Sequence, residues 1–446
     1  MSIFDKFLKN RDAFAVSMVF CSGPLNYALR DGIGLAPNNT AFSMLFMFGW
    51  IFFVLPYRNF KKLYKNDTPL TLLAVVYLLV TVAYMFIYTK EYYLPLTVKL
   101  YDCVVIFLSA YFLYFISTFS EEKLRLNFLK ISIAISFVGT VSVMLLVLTN
   151  PNFVLGQRLA LSFNGDSAGD AMGNPHIYGR GAVFGIVSSL VYLKYETVSR
   201  YRTMTYFALL IFLAMLVLAQ AMSSILGGFG IIACFLWFNT SWKSLSKYSK
   251  KIFSKWYFWV ILILLIGKGI DFIQKNEAIV DLAYTVIERR IEKLANTFLP
   301  EEDSPYAEEV EEDQSALGRV ATMGIVWETL QENFEDGQYQ KIIFGNGYYA
   351  LYVDVPIIEV FNSYGLFGLV IFSIFFFSML RYALKEMRNP QTIIGEFAAY
   401  GFVYFFIFTF TNGLIMDYNR WTFFALMCRF MSAKNNFLPL DKLRKL

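Results

Sequence analysis

Six arginines, Arg158, Arg180, Arg289, Arg290, Arg319 and Arg420, fall outside or at the outer ends of hydrophobic segments, whereas most other basic residues gather in the opposite set of short connections. A guanidinium stays charged at neutral pH and presents a planar fork of donors. It can therefore hold phosphate oxygens in pairs and stabilise a pyrophosphate leaving group without a metal. Arg180 is a strong candidate, because it falls about one turn inside the outer end of its segment, where an ionisable group is costly unless it faces a cavity or a partner. Arg319 lies in the part of a long polar stretch that has helical periodicity. For Arg289, Arg290 and Arg420, pairing with nearby carboxylates or with lipid phosphates is the favoured alternative.

The elements that must position these residues are transmembrane helices. Of 446 residues, 57% are hydrophobic and only 16% charged, which places the chain among polytopic membrane proteins. About twelve apolar runs reach the length of roughly 20 residues that a membrane-spanning helix needs. They lie near 13–29, 40–56, 69–88, 97–118, 127–149, 177–194, 203–221, 223–239, 256–273, 357–380, 396–416 and 419–433. The runs are solid rather than alternating, which favours helices over a barrel. With an even helix count, the basic clusters from Lys6 to Arg11, Arg58 to Lys65, Lys243 to Lys255, Arg381 to Arg388 and Lys434 to Lys445 share one face. By the positive-inside rule that face is cytoplasmic, with both termini inside. The formal charge of +5 then records topology and calls for no nucleic-acid partner. The first segment lacks a small-residue cleavage site and reads as a retained anchor.

The expected organisation is helices 1 to 9 in 1–273 with an outer segment 150–176, a large outer loop 274–356, and helices 10 to 12 with a cytoplasmic tail in 357–446. Within the loop, apolar residues recur at helical spacing from Ala278 to Phe298, predicting an amphipathic helix. The acidic run Glu301 to Asp313 reads as a solvated linker, since its carboxylates lack a cation-binding spacing. Ser304-Pro305 could start a short helix within it. A second helix after Ser315 places Leu317, Val320, Gly324, Trp327 and Leu330 on one face and Arg319 near its start. Gly345-Asn346-Gly347 should turn the chain back, and Pro356 should open the next span.

Other chemistries find little support. Cys21, Cys103, Cys234 and Cys428 all sit in hydrophobic runs, and no C-x-x-C pair is present. A single histidine, His176, cannot build a histidine metal site. The chain has no phosphate-binding loop of the G-x-x-x-x-G-K-[ST] type and no dinucleotide fingerprint, and no internal repeat is evident.

The stretch Gly173-Asn174-Pro175-His176-Ile177-Tyr178-Gly179-Arg180 resembles the Asn-Pro-x-x-x-x-Arg segment of bacterial O-antigen polymerases of the Wzy type. Ser315-Ala316-Leu317-Gly318-Arg319-Val320 with Trp327, then Phe344-Gly345-Asn346-Gly347, then Glu359-Val360-Phe361-Asn362-Ser363-Tyr364-Gly365-Leu366-Phe367-Gly368, is similar to the large-loop signature shared by these polymerases and the O-antigen ligases. The resemblance implies an all-α glycosyltransferase of the multi-helix C (GT-C) superfamily in the bacterial inner membrane, with a periplasmic loop containing short helices and no cofactor or metal. It would move a growing glycan from undecaprenyl pyrophosphate onto a new lipid-linked repeat unit, acting beside a Wzz-type chain-length regulator and a flippase. By motif, Arg180 and Arg319 would bind pyrophosphate. His176, Asp354 or Glu359 would take the acceptor proton, with a structural hydrogen bond the alternative for each. Arg158, Arg289, Arg290, Glu359, Asn362 and Tyr348 complete the implied substrate-binding set.

Two departures stand out. Ligases usually carry a histidine after the large-loop Gly-x-Gly, and this region offers only Asp354 and Asn362, which favours a polymerase. The Ser-Arg-Gly common on an earlier helix is replaced by Ser223-Ser224-Ile225-Leu226-Gly227. The alternatives are a ligase acting on lipid A-core and a polysaccharide flippase or transporter. For transport, Lys99, Asp102, Lys268 and Asp271 are the available charges, but most lie near helix ends, where pairing or snorkelling accounts for them.

Overall fold

The computed structural model describes residues 3–37, 69–88, 96–117, 126–151, 175–240 and 314–431, with isolated positions in the intervening stretches. These residues form helices and no strand. In chain order they are α1 (Ile3–Cys21), α2 (Gly23–Tyr27) with a π-turn (Ala28–Gly32), α3 (Pro69–Ile87), α4 (Leu96–Ser117), α5 (Leu126–Leu148), α6 (Pro175–Tyr195), α7 (Ser199–Ala219), α8 (Met222–Asn239), α9 (Gln314–Glu335), α10 (Tyr339–Phe344), α11 (Pro356–Arg388), α12 (Ile393–Thr411) and α13 (Tyr418–Phe430). Among the described residues, six helices are long and apolar enough to cross a membrane: α3, α5, α7, α8, α11 and α12. The protein is an all-α membrane protein. The amphipathic helix expected at 278–298, the acidic run and most of 150–176 lie outside the described residues.

The chain divides into two compact units. One comprises 1–153, 158–234 and 326–446; the other comprises 154–157 and 235–325, whose described helical parts are the end of α8 and the first half of α9. In the larger unit α6 is central and buried along nearly its whole length. Its glycines make that possible, since a Cβ on Gly181 would stand 2.2 Å from Pro24 and one on Gly179 2.5 Å from Ser224. Small residues of this kind let helices approach closely where lipid offers no hydrophobic drive. Below them, Phe184 of α6 packs among Phe20, Phe397, Phe405 and Phe423, with ring centroids 5.5 to 6.1 Å away.

The span expected at 357–380 is present, and the structure adds two details. The span placed at 357–380 is a 33-residue helix, Pro356–Arg388, interrupted at Gly365 (φ 63°, ψ −160°). The break leaves a short first segment, which Pro356 opens as expected. The longer part that follows presents Leu366, Val370, Ile374 and Phe377 outward, at the spacing of a lipid-facing stripe. Gly345 causes the break to persist: a Cβ there would lie 2.5 Å from the Gly365 nitrogen, and one on Gly365 would lie 2.4 Å from the Gly345 nitrogen. Both glycines have positive φ, so two sequence motifs twenty residues apart are one back-to-back joint. The second concerns α9. Its inward seam is Val326 and Asn333, whereas Val320 and Trp327, marked by periodicity as part of one apolar face, are exposed.

α13 has only 13 residues, about 20 Å of helix, and every residue from Asn419 to Phe430 is buried. Trp421 is held between the stacked rings of Tyr77 and Phe375, at 5.5 and 5.9 Å. That packing fixes the start of α13.

Candidate functional site

The turn from Asn412 to Asp417 joins α12 to α13, and three separate helical regions reach it. Pro175 begins α6, which brings His176 Nδ1 to 3.4 Å from both Asn412 Nδ2 and Ser223 Oγ. Asp354 Oδ1 accepts from the Gly413 backbone N–H at 2.9 Å. Glu359 lies in the first turn of α11, where the helix dipole favours a carboxylate, and its Oε2 accepts from the Ile415 N–H at 2.8 Å. The indole of Trp421 closes the same turn by donating to Ile415 O at 3.0 Å. Finally, Asp417 caps α13, accepting from the backbone N–H groups of Asn419 at 2.7 Å and Arg420 at 3.3 Å. The structure therefore brings His176, Asp354 and Glu359 to one six-residue turn, and each already makes a polar contact with it.

Two guanidiniums stand at the same place. Arg180, one turn after His176, is buried, with Asp417, Tyr404, Tyr418 and Tyr27 as its electrostatic neighbours. Gly179 and Gly181 on either side admit Ser224 and Pro24, so the packing that buries Arg180 also sets its direction. Arg420 is 0% exposed. Among the described residues, none accepts a hydrogen bond from its Nε, Nη1 or Nη2. It lies 5.5 Å from the Phe408 ring centroid, and Asp417, Glu359, Tyr404 and Tyr77 act on it electrostatically. A cation–π contact recovers about 1 to 2 kcal/mol. A buried polar group left without a partner costs about 1 to 3 kcal/mol, more when charged, so the guanidinium is better suited to holding an anion than to bracing the helix. Arg180 and Arg420 share Asp417 and Tyr404 as neighbours, which places two cations around one acid at the head of α13.

Other expected site residues have structural partners. Tyr348 is buried and donates its hydroxyl to Asp102 at 2.5 Å, while its backbone N–H donates to Tyr88 O at 2.8 Å. Burial, with the nearby Tyr364 and Asp102, pushes this phenol well above the usual range. The contact also occupies Asp102, one of the charges considered for transport. Asn362 binds the Gly345–Gly347 turn: its Oδ1 accepts from Asn346 Nδ2 at 3.0 Å and its carbonyl from Asn346 N at 2.8 Å. Asn346 in turn accepts from Asn333 Nδ2 of α9 at 3.2 Å. Arg319 is on α9 in the smaller unit, half-buried, and its carbonyl accepts from the Thr322 hydroxyl at 2.9 Å. Arg158, Arg289 and Arg290 lie outside the described residues.

Sequence reasoning undervalued Arg420 and gave Asp417 no role. The available signal was Asp417-Tyr418-Asn419-Arg420, a capping acid with an arginine three residues on, which fixes the arginine in the first turn of a helix. Ser223, beside His176, belongs to the stretch Ser223-Ser224-Ile225-Leu226-Gly227, which has no arginine, and Arg420 of α13 stands on the other side of the same turn's Asp417 cap. Comparison with protein-family models finds no match, and no curated protein is similar to the chain in sequence.

Proposed function

We propose that this protein is a membrane glycosyltransferase that joins lipid-pyrophosphate-linked oligosaccharide repeat units into a surface polysaccharide, as the resemblance to Wzy-type polymerases implies. The observation that carries the reading is the pair of buried guanidiniums, Arg180 and Arg420, beside a turn held by His176, Asp354 and Glu359. Phosphate oxygens are suitable acceptors for the three donor nitrogens of Arg420. Donors preset against an oxygen that gains charge as it leaves favour the transition state more than the ground state.

In this mechanism the acceptor hydroxyl attacks the anomeric carbon of the donor glycan. A new glycosidic C–O bond forms, the bond from that carbon to the pyrophosphate oxygen breaks, and the lipid pyrophosphate departs with the electron pair. The hydroxyl proton passes to one of His176, Asp354 or Glu359. Arg319 is assigned to pyrophosphate by its motif, and no metal is required. The proposal includes about twelve spans, a GT-C architecture, a periplasmic site and both termini in the cytoplasm of a bacterium. Donor and acceptor would both be carried on undecaprenyl pyrophosphate, with a Wzz-type regulator and a flippase as associated activities.

The test is genetic and chemical. Separate Arg180→Ala, Arg319→Ala and Arg420→Ala variants should reach the membrane yet leave cells with lipid cores bearing a single repeat. Polymer of normal length in all three would sink the reading. A ligase defect would leave core without any repeat, and a flippase defect would trap repeats on the cytoplasmic side. Activity of purified protein should persist in EDTA.

A further inference from the structure

We propose that the edge formed by the second half of α9, residues 326–335, and α10 is immersed in the lipid leaflet surrounding the Gly365 end of α11, instead of standing in solvent as part of an aqueous loop. α9 is held in a defined rotation. Val326 is packed with Val353 and Val355, and Asn333 is buried and bonded to Asn346. That rotation turns Trp327 and Phe334, seven residues apart, outward, at 60% and 63% exposure. The apolar surface does not end there. Phe334 meets Tyr339 edge to face at 5.9 Å, and α10 continues it with Ile343 and Phe344, both exposed. Phe344 then lies 6.0 Å from Phe367, beside the lipid-facing stripe of α11.

The occupant follows from that continuity. A row of large apolar and aromatic side chains whose last ring meets a membrane-spanning surface shares the solvent of that surface. Trp and Tyr at its margin suit the level of the lipid headgroups. Soluble surfaces rarely leave so large an apolar area uncovered. Glu328, Glu332 and Glu335 lie on the other side of α9 by helical spacing, so the helix has one side for lipid and one for water. This inference does not rest on the glycosyltransferase reading.

The experiment places a photo-reactive phenylalanine analogue at position 327, 334, 332 or 374 of the full chain, one at a time. Each variant is reconstituted in phosphatidylethanolamine and phosphatidylglycerol vesicles and irradiated, and adducts are read by mass spectrometry. Position 374 reports a lipid-facing site and 332 the polar side. Lipid adducts at 327 and 334 should match those at 374 and exceed those at 332 by about tenfold. Adduct yields at 327 and 334 no greater than at 332, while 374 reacts with lipid, would overturn the proposal. So would crosslinks at 327 and 334 to a second copy of the chain without lipid.

Discussion

The two ends of the antiparallel pair α6 and α12 treat charge in opposite ways. At the Lys194 end, buried carboxylates have several donors each. Glu396 accepts from Lys194 Nζ at 2.6 Å and Tyr195 OH at 2.5 Å. Glu386 accepts from the backbone N–H groups of Gln391 and Thr392 at 2.7 and 3.0 Å. Glu196 receives the Tyr192 hydroxyl, the N–H groups of Thr197 and Val198, and Lys130. At the His176 end, Arg420 is buried as deeply and has no hydrogen-bond acceptor among the described residues. The carboxylates at the Lys194 end are saturated within the fold. A charge kept buried without an acceptor costs stability, and Arg420 carries that cost at the His176 end of the bundle.

The sharpest way to break this comparison is Arg420→Met. Under the proposed polymerase function, polymer formation per folded molecule should fall about a thousandfold, or about 4 kcal/mol in barrier, while Tm in detergent stays level or rises because an unpaired buried charge is gone. A lowered Tm with intact activity would make Arg420 another structural charge. At the other end, Lys194→Met strips the buried Glu396 of its cation and should cost about 3 kcal/mol of stability. Specific activity of the folded fraction should survive, as measured by thermal unfolding alongside a polymerisation assay.

Gly365→Ala separates packing from chemistry at the His176 side of the molecule. The added methyl would meet Gly345 at a positive φ, so stability should fall by about 2 kcal/mol or more; an unchanged Tm would show that the joint yields. The smallest effect concerns Glu196. Burial opposes its charge, but the bonds from Tyr192, Val198 and Lys130 outweigh that and hold the carboxyl below its ordinary value. A depressed acid adds stability above its unfolded pKa and loses it as pH falls through the folded one. Wild-type Tm should therefore drop more steeply than that of Glu196→Gln on the acid side of the ordinary carboxylate range.

Much of the helical architecture could be read from hydrophobic runs, because a membrane span must satisfy its backbone internally and shows this as length. Pro356 marked a helix start that the structure retains. The break at Gly365 was hidden because Gly345, which meets it, lies on another element, and local propensity carries no record of such a contact. The outward turn of Trp327 was hidden for a related reason: periodicity finds an apolar face without saying whether protein or lipid covers it. Of the site, His176, Asp354, Glu359 and Arg180 stood out by type and position. Arg420 stood among the six outer arginines but was read as paired with carboxylates or lipid phosphates, since its lack of an acceptor emerges only when the neighbours from α3, α11 and α12 are in place.

The bond between Tyr348 and Asp102 also has a consequence for biosynthesis. Its partners are 246 residues apart, so at about 5 to 20 residues per second the acid is made roughly 12 to 50 s before the phenol. During that interval the Asp102 carboxylate of α4 lacks its final donor. The Tyr348–Asp102 bond therefore forms only after the chain has been made through the segment that precedes α11.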